Sequence, residues 1–249
     1  MTRRNGIVAI AFGVWFLIWV AVFTWFGVLA AQYRERLRVY AADFGVELTK
    51  GQDVLAQHIA AHDTDASAAV LKQMAATVSQ KTDHAPQLPT VLGVHMGLAA
   101  ERNRRAEIQS ATKTYAVTLT EMADCLAYQQ TLAHRLQVLS LKDAGDYRQI
   151  VDLANTWREH ANQLQAEKKP QKFAAITAAL AQKMFTAEAH IRAMADLHKQ
   201  NDTAGFSTKR DQLAAIIASF SEQGDQVATV LIALDAQAAA DFTKLDRSL

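Results

Sequence analysis

Hydrophobic and polar positions divide the chain into two regimes. Residues 7–31 read IVAIAFGVWFLIWVAVFTWFGVLAA, with no ionisable side chain. That is long enough to cross a hydrocarbon core of about 30 Å as a helix, the open-ended element that satisfies its own backbone in lipid. From Gln32 onward apolar residues return every three or four positions, the signature of amphipathic helices. Tyr33, Leu37, Tyr40, Phe44, Leu48, Gly51, Leu55 and Ile59 continue the anchor helix as a one-sided stripe. Gly45 and Gly51 are candidate bends within it.

A break is predicted at residues 62–65, with Asp65 as N-cap of a short helix carrying Val70, Leu71, Met74 and Val78. Residues 79–89, SQKTDHAPQLP, hold Pro86 and Pro89 and no apolar period, so a linker is expected there, centred on 81–89. A Pro-free pattern then runs from Thr90 to Lys142. Its start is loosened by Gly93 and Gly97, its middle is polar, and its end is tightened by Tyr115, Leu119, Met122, Leu126, Leu132, Leu136 and Leu139.

Asp143, Ala144, Gly145 and Asp146 read as a turn ending in a capping Asp. The most regular stripe follows: Tyr147, Ile150, Ala154, Trp157, Ala161 and Leu164, closed by Lys168, Lys169 and Pro170. The next runs Phe173, Ile176, Leu180, Met184, Ala187, Ile191, Met194 and His198. After a Gly-containing turn at 201–207, a last helix carries Leu213, Ile217, Phe220, Gly224, Val227, Leu231, Leu234, Ala238, Phe242 and Leu245. No segment alternates with period two, and no repeat exceeds the heptad-like spacing. The expected fold is all-α: one N-terminal transmembrane helix followed by a helical bundle or antiparallel coiled-coil domain. The expected layout is a tail at 1–6, an anchor at 7–31, a juxtamembrane helix and short second helix at 32–80, a linker at 81–89 and a bundle at 90–249.

Composition narrows the class. With 50% hydrophobic and 20% charged residues, the chain is not a disordered one. Lys+Arg 26 against Asp+Glu 25 leaves no global basic field, so nucleic acid is not an expected partner. A single cysteine, Cys125, excludes an intrachain disulfide and is too far from the apolar run to be a lipid anchor beside it.

Arg3 and Arg4 precede the apolar run, as in signal peptides and signal anchors. The small residues around Val28, Leu29 and Ala30 would suit a signal peptidase, but the run far exceeds the ~7–15 residues of an ordinary signal-peptide core. An uncleaved anchor is therefore expected. Arg34, Arg36 and Arg38 oppose Arg3 and Arg4 in the positive-inside count, and the signal-like layout favours an extracytoplasmic C-terminal domain. On a helical wheel Phe12, Trp15, Phe16, Trp19, Phe23 and Phe26 share one side. Gly13, Val20, Thr24, Gly27 and Ala31 form a flatter side suited to a transmembrane partner. Trp25 and Tyr33 fit an interfacial belt.

Chemical motifs are sparse. His58 and His62 have a one-turn metal-ligand spacing, but Ile59, Ala60 and Ala61 replace the Glu of a zinc-peptidase helix. His190, Met194 and His198 share a face that a soft metal would accept, but the stronger reading puts Met194 in the core with the two histidines lining its edge. Glu159 with His160, and Glu188 with His190, have the wrong spacing for a di-iron bundle. Cys125 reads as a small buried hydrophobe rather than a nucleophile. Arg102, Arg104 and Arg105 form the densest extramembrane basic cluster, which reads as a solvated helix face or a contact for anionic headgroups or an acidic partner. Asn201, Asp202 and Thr203 form a formal glycosylation triplet. No phosphate-binding glycine loop occurs. No catalytic, cofactor or metal residue is assigned.

In outline the layout resembles bacterial chemoreceptor sensor domains and anchored coiled-coil scaffolds. Sensors of that kind return through the membrane, whereas residues 227–234 are too short for a span and are followed by Asp235. The leading expectation is a single-pass membrane protein, not an enzyme. It would act by protein–protein contact in structure or assembly, through self-association or another membrane or envelope protein, with Tyr147, Trp157, Phe173, Met184, Phe220 and Phe242 as packing residues. The alternative is an extracytoplasmic small-molecule sensor or binding module, with Asn155, Gln163, His190 and His198 lining a pocket in the bundle.

Overall fold

The structure, a computed structural model, describes residues 2–61, 63–89, 98–138 and 146–249, with side chains from Trp15 onward. The described residues are all-helical, with 91% helix and no strand. Seven α-helices are present among them: α1 (Thr2–Ala60), α2 (Thr64–Asp83), α3 (Ala99–Val138), α4 (Tyr147–Ala166), α5 (Ala174–Lys199), α6 (Thr203–Ala218) and α7 (Phe220–Ser248), with a 3₁₀ turn at Gln171–Phe173. The chain divides by contact into two units. Unit 1 comprises Met1–Ala56, Gln73–Val117 and Ala240–Leu249; unit 2 comprises Gln57–Lys72 and Thr118–Ala239.

In unit 1, α1 supplies Tyr33, Leu37, Ala41, Phe44 and Leu48 to a core shared with Met74 and Val78 of α2, Ile108 and Tyr115 of α3, and Leu245 of α7. Tyr40 donates to the Lys81 carbonyl (2.8 Å) and Lys81 pairs with Glu47 (2.8 Å), so α2 runs antiparallel to α1. Helix α1 runs unbroken through Gly45 and Gly51, the two candidate bends. Gly51 serves packing instead: a Cβ there would meet the Met74 side chain at 3.1 Å, so the glycine lets α2 approach.

Unit 2 centres on α4 and α5, which pack together, with α6 against α5. The α4 stripe buries Ile150, Ala154, Trp157, Ala161 and Leu164. Phe173, Ile176, Leu180, Met184, Ala187, Ile191 and Met194 face it from the α5 side. Trp157 contacts Phe220 at 5.9 Å between ring centroids. Asp146 caps α4 through a capping box with Gln149; the other residues of that predicted turn lie outside the described residues. Lys169 closes the far end, donating to the carbonyls of Leu164 (2.5 Å) and Gln165 (3.2 Å).

Several expectations need correction. The cap of α2 is Asp63, whose carboxylate accepts from the Ala66 amide at 2.9 Å, and not Asp65. Helix α2 continues through residues 79–83, half of the expected linker. The first proline is Pro86, and its steric restriction falls on Ala85 rather than on these residues. Thr90, Gly93 and Gly97 lie outside the described residues, and the long third helix begins at Ala99. Tyr147 is exposed rather than core, because α4 starts there and its buried stripe opens at Ile150. His198 is also exposed, ending the α5 stripe at Met194.

The turn at 201–207 is only three residues long. Asn201 (φ 56°) takes the left-handed conformation, its amide donating to the His198 carbonyl (3.1 Å) and that of Asp202 to Leu197 (3.0 Å). That is a Schellman stop. The same Asp202 then caps α6 through the Gly205 amide (2.9 Å). The expected last helix is two helices, interrupted at Ser219, whose carbonyl accepts from both the Glu222 amide (3.3 Å) and Lys183 (2.9 Å).

Candidate functional site

The feature that no packing explains is the N-terminal half of α1. It is long and apolar enough to cross a membrane, and none of its most apolar stretch from Trp15 onward is buried. Trp15, Phe16, Leu17 and Ile18 are 55–67% exposed, and because they are consecutive they point to every side of the helix. Trp15, Trp19 and Phe23 form a ladder with centroids 5.6 and 5.4 Å apart. Thr24 donates back to the Val20 carbonyl (2.8 Å), which leaves the flatter side with no unsatisfied hydroxyl proton. A Cβ at Gly27 would meet nothing within 4 Å, so that side is open.

The apolar run is engaged by the folded chain only at its end. Tyr33, Leu37, Leu98 and Ile108 form a buried cluster against which Phe26, Leu29, Ala30, Leu88 and Leu249 pack. Phe26 therefore departs from the other aromatics of its side. Tyr33 is 3% exposed and is a core residue rather than part of an interfacial belt, because it heads the amphipathic stripe. Burial pushes its hydroxyl upward, only partly offset by the Arg105 charge, and likewise pushes Tyr40 up to about 12.

The same end of unit 1 gathers arginines from two distant segments. Arg34 pairs with Glu101 at 2.5 Å across 67 residues. Burial resists ionisation of Glu101, but a backbone hydrogen bond and the Arg34 guanidinium outweigh it and hold the carboxyl below its ordinary range. Arg104 donates to the carbonyls of Ser248 (3.3 Å) and Leu249 at the end of α7. Arg36, Arg38, Arg102 and Arg104 are exposed and Arg105 is half-buried. Among the described residues no carboxylate lies within ion-pair distance of Arg36 or Arg102, and Glu35 reaches Arg38 only at 3.9 Å.

Unit 2 offers polar clusters without evident chemistry. Glu167 accepts from Tyr128 (2.5 Å) and Arg135 (2.5 Å), and Arg135 also donates to Gln163 (2.7 Å), a network joining α3 to the end of α4. An open cleft of about 640 Å³ beside it is lined by Asp65, Gln130, His134, Arg135, His160 and Gln163. Of the residues named for a ligand pocket, only Gln163 lines this cleft; Asn155 instead accepts from Arg192 (2.9 Å). His190 has its pKa lowered, by burial first and then by Lys209. Met194 is buried in the core, and His198 is exposed with its ring 6.1 Å from that of Phe206.

Glu188 is buried and paired with Arg192. Cys125 is fully buried, its thiol pushed up to about 11 by burial and by the charges of Glu121 and Asp124. A thiol in that state is not a nucleophile at neutral pH. His62 lies outside the described residues. Among those described, no three His, Cys, Asp or Glu side chains converge on a metal-sized site. The Arg34 and Tyr128 networks went unnoticed in the sequence because their partners are 67 and 39 residues apart, beyond any local period.

Comparison with known proteins returns no match: no protein-family model, curated protein or solved structure aligns significantly with the chain.

Proposed function

We propose that this chain is a single-pass, membrane-anchored helical protein that works by protein–protein contact, as a structural or assembly component. The observation that carries the reading is the bare apolar segment of α1, exposed on every side over residues 15–20, while the same helix from Tyr33 onward is built into the core of unit 1. A contiguous apolar surface of that size in water would drive association or insertion. Lipid satisfies it at all angles, and the tryptophan and phenylalanine ladder carries no ionisable group.

The contact role is supported by α1 beyond the anchor. Val39, Val46 and Val54 are each 43–55% exposed and recur at steps of seven and eight, along a side of the helix that unit 1 leaves uncovered. Such spacing suits a seam with a second helix, and a second copy of this chain, anchored in the same bilayer, would present the matching side.

Tagging the carboxyl end and treating intact cells with protease tests the anchor and its orientation together. A full-length, carbonate-resistant and protease-accessible tag is the expected result. A protected tag reverses the orientation. A shortened, released product shows cleavage after Ala30 and overturns the anchor. Cysteines placed at Val39 and Val46 should give disulfide-linked dimers in membranes, and a monomer under all oxidising conditions would remove the self-association reading.

A further inference from the structure

We propose that the arginines at the anchor-proximal end of unit 1 form a collar that binds anionic phospholipid headgroups of the leaflet beside it. The inference rests on the membrane-anchor reading and adds a lipid preference to it. Its basis is a placement that only the fold reveals. At 1.5 Å per residue, Arg34, Arg36 and Arg38 stand roughly 5–10 Å beyond Ala31 along α1, within about one Debye length of a membrane surface at that height.

Arg102, Arg104 and Arg105 come to the same level from α3. Arg34 pairs with Glu101, Leu98 and Ile108 pack on Tyr33 and Leu37, and Arg104 holds the α7 end at Leu249, which itself packs in that cluster beside Phe26 and Leu29. Six arginines thus gather at one end of the unit, with Glu35, Glu101 and Glu107 the acidic residues of those two segments, and Glu101 is already engaged by Arg34. Arg36 and Arg102 are exposed with no carboxylate partner among the described residues. Arginines outnumber carboxylates six to three over those two segments, and that excess adjoins the exposed apolar part of α1. Guanidinium groups also match phosphate oxygens in a two-pronged geometry that lysine lacks.

The test uses the full chain reconstituted in vesicles of phosphatidylcholine and phosphatidylglycerol mixed in equal parts. The vesicles are washed with alkaline carbonate and floated, and the protein is then released in mild detergent for native mass spectrometry of the lipids it retains. Wild type should float and retain phosphatidylglycerol over phosphatidylcholine, with the preference weakened by high salt. Each exposed cation near an anionic surface contributes about fivefold in affinity, so R36Q/R38Q/R102Q should lower that retention on the order of tenfold or more. All three side chains lie outside the core, and helical circular dichroism and melting temperature confirm that the variant is folded. A control triple variant at Arg148, Arg158 and Arg210, exposed residues of unit 2, should retain phosphatidylglycerol as wild type does. Equal retention of both lipids by a floating wild-type protein, or equal losses in the two triple variants, overturns the collar and leaves the anchor standing. Protein stripped from the vesicles by carbonate overturns the anchor and the collar together.

Discussion

Arg34 and Glu101, 67 residues apart, meet at 2.5 Å and tie the stretch just beyond the apolar run to the first turn of α3. Arg34 is more than half exposed, so solvent screens the pair and its worth is about 0.5 kcal/mol. Glu101→Gln should lower the melting temperature slightly at neutral pH. The sign of the pH dependence follows from the depressed carboxyl pKa: the stabilisation is present above the unfolded value near 4.5 and is lost as pH falls through the folded value. The difference between wild type and variant should therefore vanish in acid. A difference that grows on acidification would show that Glu101 acts otherwise.

Trp157 is 1% exposed and packs on Phe220. Trp157→Ala should cost about 3–5 kcal/mol in chemical denaturation. Its indole nitrogen has no hydrogen-bond partner among the described residues, so Trp157→Phe removes volume without orphaning an acceptor and should cost far less. In a double-mutant cycle Trp157 and Phe220 should couple by about 0.5–1.5 kcal/mol. Additive losses would mean the rings touch without contributing to one another.

Both results bear on how much of the fold can be read from the chain. The α4 stripe was legible because one buried side imposes a three-and-four step on a single helix, and Asp146 and Lys169 act on groups within a turn of themselves. Where a residue carried two signals, the periodic one prevailed. Tyr33 had the composition of an interfacial residue and the register of a core residue, and it is buried. Tyr147 shows the limit of that rule, since register alone does not reveal that a helix begins at that position. The break at Ser219 was hidden for another reason. Ser219 and Ser221 donate back to the carbonyls of Ile216 and Ala218 there, and Lys183 donates to Ser219 from a different helix, a contact that no local period announces. The arginine collar is illegible for the same reason, because its two halves are joined by a tertiary pair.

The turn between α5 and α6 makes two demands on adjacent residues. Asn201 occupies the left-handed region, where a β-carbon costs about 1–2 kcal/mol and asparagine is among the residues that tolerate it. Asn201→Gly should be neutral or slightly stabilising, whereas Asn201→Val should destabilise by at least about 1 kcal/mol. Asp202→Ala removes the α6 cap and should cost about 1 kcal/mol. Gly205→Ala should also destabilise, since the new methyl would lie 2.5 Å from the Asp202 carboxylate and 3.0 Å from Leu197. Equal melting temperatures across the series would mean this turn does not limit unfolding.

Lys183 donates to the Ser219 carbonyl (2.9 Å), Glu222 (2.8 Å) and Gln223 (2.9 Å), bridging α5 to the interruption between α6 and α7. Lys183→Met keeps most of the aliphatic stem and removes the charge. Gln223, 6% exposed, would then lose its donor, and the expected cost is about 1–3 kcal/mol. Hydrogen exchange should accelerate at residues 216–223 before it does in α4. Uniform acceleration across unit 2 would instead assign Lys183 a global role.

Cys125 offers a test of burial that leaves the sequence unchanged. Its thiol is fully buried on α3 and pushed up to about 11, first by burial and then by Glu121 and Asp124. A disulfide reagent at neutral pH should therefore leave the native protein unmodified and react at once with the unfolded chain. For an acid whose folded pKa is raised, stability is intact below the unfolded value of about 9 and declines as pH rises toward the folded value. Cys125→Ala removes that alkaline loss at the expense of a small cavity. The variant should melt lower than wild type at neutral pH, and the gap should narrow above about pH 9. Rapid labelling of the native protein would show instead that α3 opens locally around residue 125.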